Sequence, residues 1–128
     1  MPLEPAIKEL AQQKNFAALT THLRNGDTST QIMWIDADDD HLIFNTEVHR
    51  AKFQALEADP RVTIAIWDAD NPYHYAEVRG TVATTDDSDA ARDHIDALSQ
   101  KYNGTEYPNP IQSRRVIVKV APERQRIQ

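Results

Sequence analysis

The sequence predicts a mainly β fold with helices: six antiparallel strands closing into a small barrel whose ends are plugged by helices. Three observations predict it. Short segments alternate apolar and polar residues at the two-residue period of a half-buried strand; turn residues separate neighbouring segments at hairpin distance; and three helical segments interrupt the strands. The 128 residues, 40% of them hydrophobic, suit one domain spanning 1–128 with a core of its own.

Residues 3–14, LEPAIKELAQQK, place Leu3, Ile7 and Leu10 at helical spacing, a helix that covers one end of the core. Phe16 to Arg24 is a strand, Asn25-Gly26 favours a tight hairpin turn, and Thr28 to Asp36 is the returning strand. In that second strand Ile32 and Trp34 face one way, while Gln31 and Met33 face the other. Asp36, Asp38, Asp40 and Glu47 match positions 1, 3, 5 and 12 of a calcium loop, but His41 stands where the sharp turn needs glycine and the flanks are strand-like. An acidic hairpin turn is therefore expected, and with no metal-ligand spacing among the five histidines no metal is assigned.

The stretch Leu42 to Pro60 organises the chain. Leu42, Ile43 and Phe44 fit a short buried strand, Thr46 offers a hydroxyl to cap a helix beginning near Glu47, and Pro60 ends that helix near Asp59. Val48, Ala51, Ala55, Leu56 and Ala58 share one face, with Lys52 among them and Arg50 pointing away. A lysine there either lifts its ammonium to water over a buried stem or reaches an anionic ligand. A helix N-terminus favours phosphate, and Thr46, Arg50 and Lys52 would make a three-part grip on one.

Arg61 to Asp68 is a strand with Val62, Ile64 and Ile66 on one face, and Asp68 to Pro72 is a turn. His74 to Thr85 is a long strand in which Gly80 marks a bulge or a close backbone approach. Tyr73, His74 and Tyr75 at its entrance either stack on a ring system or pack at the sheet edge. Asp86 to Asn103 is a second long helix, with Ala91, His94, Ile95, Leu98 and Tyr102 on its packing face, and Arg115 to Ala121 is the last strand.

The net charge of −6 disfavours nonspecific nucleic-acid binding. It is unevenly spread: residues 1–113 hold 9 Lys and Arg against 19 Asp and Glu, whereas residues 114–128 hold 5 against 1. That basic tail, with Arg114, Arg115, Lys119, Arg124 and Arg126, is either a second anion contact or a solvated strand end. No run approaches the roughly 20 apolar residues of a membrane span, and the absence of cysteine suits a reducing compartment; the expectation is a cytoplasmic protein with no membrane partner.

With these residues in view, the chain resembles the split β-barrel superfamily of pyridoxamine 5′-phosphate oxidase-like, FMN-binding proteins, in particular the branch dependent on the deazaflavin coenzyme F420. The resemblance rests on FAALTT with its NG turn, TQIMWID, LIFNTEVHRAKFQALEADPRVTIAIWD, NPYHYAEVRGTV and RRVIVKVAPER, and covers Phe16 to Arg126. Its most specific part is N-T-x-x-x-R-x-K-x-x-x-L-x-x-D-P-R, from Asn45 to Arg61.

The resemblance implies a six-stranded antiparallel split barrel and a homodimer with cofactor sites in the grooves between barrels. It implies that Thr46, Arg50 and Lys52 bind the cofactor phosphate, with Ala51 giving a backbone N–H. Gln31, Ile32, Met33 and Trp34 would lie along the ring system, Tyr75 would touch the cofactor, and the basic C-terminal strand would come from the partner subunit. Ala55 departs from the Asn or Gln of many relatives, with Gln54 one position earlier. The implied function is hydride transfer between F420 and an unsaturated or quinone-like small molecule. An FMN-dependent oxidoreductase of the pyridoxamine-phosphate type and a non-catalytic flavin or haem carrier are the alternatives. Neither a nucleophile nor a catalytic triad is evident, and hydride transfer from a bound cofactor needs none; no catalytic residue is assigned, His74 being the one suggestion for product protonation.

Overall fold

The computed structural model describes residues 1–128. Its elements are α1 (Pro5–Gln12), β1 (Phe16–His22), β2 (Thr28–Trp34), β3 (Asp36–Ala37), β4 (Leu42–Glu47), α2 (Ala51–Ala58), β5 (Arg61–Asp68), β6 (Asn71–Asp86), α3 (Asp89–Asn103) and β7 (Arg115–Ile127). The strands form one antiparallel sheet in the order β2-β1-β5-β6-β7-β4-β3. It curls until β2 approaches β4, a half-barrel that fits a split barrel, and β2 and β3 are its two edges, not paired with each other, where a closed barrel was expected.

There are seven strands rather than six because the acidic stretch is partly strand. Asp36 and Ala37 pair with Ile43 and Leu42, and only Asp38 to His41 turn. The Asp38 carboxylate accepts from the amides of Asp40 and His41 and from Lys119, which together outweigh its burial and hold its carboxyl down at about 2.

The inward positions make one apolar cluster. Leu19, Leu42, Phe44, Ile64, Ile66, Val78, Val118 and Val120 come from the strands and Ile35 from the link between β2 and β3; α1 adds Ile7, Leu10 and Ala11, and α2 adds Leu56. A second, smaller cluster of Ile95, Leu98 and Tyr102 sits under α3 against Trp34 and Tyr107. The Tyr102 hydroxyl donates to the Asn15 carbonyl and accepts from the Ile35 amide at 3.1 Å, and its ring stacks on Trp34 at 5.1 Å. Lys101 Nζ donates to the Ala11 and Ile35 carbonyls at 2.8 and 2.6 Å, tying α3 to the ends of α1 and β2. No helix is long and apolar enough to cross a membrane.

The two boundaries that differ most from expectation do so for a physical reason. The middle helix begins at Ala51, not near Glu47, because Thr46 and Glu47 stay in β4, paired with Val116 and Arg115 of β7. Thr46 is therefore fully buried, caps nothing, and its hydroxyl has no partner. Of the expected apolar helix face only Leu56 is buried; Ala51 and Ala58 are exposed. The last strand runs on to Ile127, past the expected end at Ala121; Pro122, which cannot donate, falls opposite Gly80 beside a register shift, and a bulge is where a strand tolerates proline.

Gly80 does what a glycine inside a strand should do. A Cβ built on it would stand 2.3 Å from the Ala121 carbonyl oxygen and 2.9 Å from Val120 Cγ1. Because the obstructing atom is backbone, the β6–β7 bulge cannot yield cheaply. Gly80→Ala is expected to cost roughly 1–3 kcal/mol and to lower the Tm by about 4–12 °C, read by thermal unfolding; an unchanged Tm would show that the two strands can separate there without loss.

Candidate functional site

A cavity of about 310 Å³ opens where β2, β4, the start of α2, α3 and the segment before β7 meet. One end is cationic, formed by Arg50, Lys52 and Arg115 beside Asn45; the other is apolar, formed by Ile32, Met33, Trp34, Ile95 and Leu98, with Tyr107 between them. Apolar walls with a few convergent polar groups are the ordinary make-up of a small-molecule site. Ile32, 61% exposed, carries the apolar wall out onto the free face of the sheet.

The cationic end is built around a single carboxylate. Glu47 is buried, its Oε1 accepting from the amides of Gln112 and Ser113 at 2.8 and 2.7 Å, which folds the pre-β7 segment over the strand. Its Oε2 stands 3.6 Å from both Arg50 Nη2 and Arg115 Nη1, beyond hydrogen-bonding distance. Burial alone would raise the Glu47 carboxyl, but the two amides and then the two arginines outweigh it and hold it below the usual range. Arg115, its side chain 4% exposed, donates from Nε to Asn45 Oδ1 at 2.7 Å, while Nη1 has no hydrogen-bond partner. Such an orphan in a buried guanidinium is costly and asks for an acceptor.

Lys52 completes the imbalance. It is half-buried, has no carboxylate partner, and burial first, then the charges of Arg50 and Arg115, pull its ammonium down to about 8. Three cations thus face one carboxylate in a partly desolvated cavity. The Arg115 guanidinium also lies 5.1 Å from the centre of the Tyr107 ring, which meets Trp34 edge-on at 6.2 Å. Burial pushes the Tyr107 phenol up, but Asn109, Arg115 and Arg50 outweigh it and the net direction is down.

Of the residues singled out from sequence, Ile32, Met33, Trp34, Arg50 and Lys52 line this one cavity. Gln31 is exposed on β2 outside it, Thr46 is sealed in the core behind it, and Ala51 lines a different depression with Leu23 and Gln54. Tyr75 lies on β6 opposite Trp67, away from the cavity, with Arg126 over its ring. His74 is also elsewhere, its Nδ1 2.6 Å from the Gln128 carbonyl. The basic tail does not act as a unit: Arg114 pairs with Asp87, Lys119 with Asp38 and Arg126 with Glu77, and only Arg115 reaches the cavity. Within the one chain, Arg115, Arg50 and Lys52 line the same cavity. A wider depression of about 570 Å³ on the outer face holds Arg61, Arg79 and Arg124, but Asp59 answers Arg61 and Glu77 answers Arg79.

Sequence reasoning named Arg115 only as part of the basic tail, quoted Asn45 in the N-T-x-x-x-R-x-K element without giving it a role, and missed Tyr107. Arg115 carried a usable signal: it opens β7 with the phase of Ile117 and Lys119, opposite to the core residues Val116, Val118 and Val120, on the side where α3 packs. Tyr107 sits in an aperiodic loop and carried none.

The family model for pyridoxamine 5′-phosphate oxidase matches residues 3–128. No curated protein matches the chain. Among solved structures, an F420 reductase is similar at 27% identity and a TM-score of 0.84, over 97% of this chain and 98% of that one. A conserved hypothetical protein from Mycobacterium tuberculosis is 19% identical at 0.78, over 98% and 84%, and an FAD-binding protein from Mesorhizobium loti is 16% identical at 0.67, over 98% and 94%.

Lys52 gives the site a test that requires no cofactor. Its proton is held more weakly folded, at about 8, than the 10.5 of a free lysine, so its charge burdens the fold below pH 8 and the burden fades between 8 and 10.5. Lys52→Met is expected to raise the Tm at pH 7, by an increment that shrinks as the pH climbs through that window, and to lose binding of inorganic phosphate by calorimetry. A variant less stable at pH 7 that still binds phosphate would remove Lys52 from the site.

Proposed function

The chain belongs to the pyridoxamine 5′-phosphate oxidase family, and from that premise we propose that it is an oxidoreductase using coenzyme F420 to reduce an unsaturated or quinone-like small molecule. The observation that carries the reading is the surplus of positive charge that Arg50, Lys52 and Arg115 leave over Glu47 at one end of a cavity whose other end is apolar and aromatic. A phosphorylated tricyclic cofactor has that same division, anionic at one end and flat and apolar at the other. The similarity to an F420 reductase supports the choice of deazaflavin.

The residues fit such a group. Arg115 Nη1 and the Lys52 ammonium are donors without acceptors, and a phosphate supplies acceptors to both. Asn45 holds Arg115, Glu47 offsets part of the charge of both arginines, and Ile32, Met33 and Trp34 give the ring a dry wall. When bound, the deazaflavin supplies the hydride chemistry; the chain's part is to orient the ring, exclude water from its apolar face and balance the phosphate charge. The same grip would hold the phosphate of FMN, which makes an FMN-dependent oxidoreductase the second reading.

The free face of the sheet supports a homodimer. Ala18 pairs with Ile32 on one side and Ala65 on the other, and Trp67 pairs with Tyr75, so Phe16, Ile32, Trp67, Tyr73 and Tyr75 share one outward face. Phe16, Ile32 and Tyr73 are 41, 61 and 79% exposed. Two copies meeting there would cover this surface, close the open side of each cavity at Ile32, and bring Tyr75 of one copy within reach of the other's site.

Purified protein is expected to be colourless, to bind F420 and to oxidise its reduced form in the presence of a quinone. Yellow protein with flavin absorbance would favour FMN, and binding without turnover across a broad set of acceptors would favour a carrier. Gel filtration is expected at twice the 14.6 kDa chain mass, and Ile32→Lys is expected to give monomers that bind cofactor at least tenfold more weakly. A wild-type monomer with full affinity would contradict the shared site.

A further inference from the structure

We propose that His94 is a positioning residue for the anion grip, acting through Asn45 to aim the Arg115 guanidinium; the inference rests on the reading that the cavity takes a cofactor phosphate. Beside its contact with the Tyr107 ring, the Arg115 guanidinium has one hydrogen bond. Its Nε donates to Asn45 Oδ1 at 2.7 Å, while Nη1 is unpartnered and 3.6 Å from Glu47. The direction of the guanidinium therefore depends on which way the Asn45 amide faces.

That choice is made on the other side of Asn45, by α3. Asn45 Nδ2 donates to the Ala91 carbonyl at 2.8 Å and meets His94 Nδ1 at 3.0 Å. The carbonyl accepts only, so Nδ2 must face α3, and with both its N–H groups spent there Oδ1 is left for Arg115. Reversing the amide would set oxygen against the Ala91 carbonyl and N–H against Arg115.

Since Nδ2 only donates, His94 Nδ1 must accept, which places the imidazole proton on Nε2. That nitrogen is buried, has no hydrogen-bond partner, and lies 3.7 Å from Asp36 Oδ2. Asp36 is itself fixed, its Oδ1 accepting from the Ala37 amide at 2.8 Å. A negative oxygen facing Nε2 favours the tautomer whose Nδ1 is free to accept. Asp36 on β3, His94 on α3, Asn45 on β4 and Arg115 on β7 thus form one directed chain ending in the cavity. It is second-hand support of the kind that metal and phosphate sites use to hold their contacting groups.

The test compares ligands that differ in the phosphate: F420 against its phosphate-free chromophore, with FMN against riboflavin as a second pair. His94→Leu is expected to weaken the phosphorylated ligand at least tenfold and leave the unphosphorylated one within twofold. His94→Asn, whose Oδ1 stands near the place of Nδ1, is expected to recover affinity to within threefold of wild type. Equal losses for both ligands, an unchanged His94→Leu, or no recovery with asparagine would overturn the inference. If the leucine variant does not fold, Asp36→Asn addresses the far end of the chain and is expected to weaken the phosphorylated ligand three- to tenfold; unchanged affinity there overturns it too. Wild-type protein that binds neither F420 nor FMN would overturn the underlying reading, and the inference with it, whereas wild-type binding with unaffected variants overturns the inference alone.

Discussion

A single buried carboxylate, Glu47, sets the terms for the rest of the site. It sits at the end of β4, where the strand would otherwise become a helix, and its Oε1 is committed to the amides of Gln112 and Ser113. That bond holds the segment carrying Tyr107 and leading into Arg115. Its other oxygen faces two arginines without hydrogen-bonding either. Unpaired charges inside a protein are costly, and so are half-answered ones. Glu47 is enough to make the arginines tolerable and too little to neutralise them with Lys52 added. The fold thus retains a surplus of positive charge in a place where water screens it poorly.

The sheet was largely legible in the chain because period-two alternation is hard to imitate. The cores of β5 and β7, the Asn25-Gly26 turn and the constrained Gly80 all follow from residue types whose physical demands are narrow. Less legible was the junction of β4 and α2. Thr46 has the chemistry of a helix cap, yet a strand partner, β7, claimed it and Glu47 first. A capping preference is worth about 1 kcal/mol, whereas leaving β4 short would forfeit ladder bonds and bury Glu47 without its amides. Long-range pairing outweighs local preference there, and nothing near Thr46 in sequence announces it.

The same contrast holds within the site. Arg50 and Lys52 could be read because they lie close together on one element. Arg115 lies some sixty residues further on, and Tyr107 in a loop, so only the return of β7 alongside β4 brings them in. His94 was legible as a packing residue on α3 and as nothing more. Its relation to Asn45 arises because β4 is covered by α3 on the side away from the barrel interior. A residue whose chemistry is set by a neighbour's amide orientation leaves no periodic trace.

Two lysines show why charge imbalance, rather than a displaced pKa, marks this cavity. Lys52 and Lys101 are both pulled down to about 8, and burial is the first cause for each. By that measure they are equivalent. Their partners are not: Lys101 donates to the carbonyls of Ala11 and Ile35 and lies near Asp36, so its burial fastens α3 to the body of the fold. Lys52 has neither carbonyl nor carboxylate, and its nearest named influences are two further cations. Desolvation offset by hydrogen bonds describes a structural lysine, since nothing more is needed to hold it. Desolvation compounded by like charge describes a site whose free energy falls when an anion arrives, and of the two lysines only Lys52 stands at the mouth of an apolar pocket.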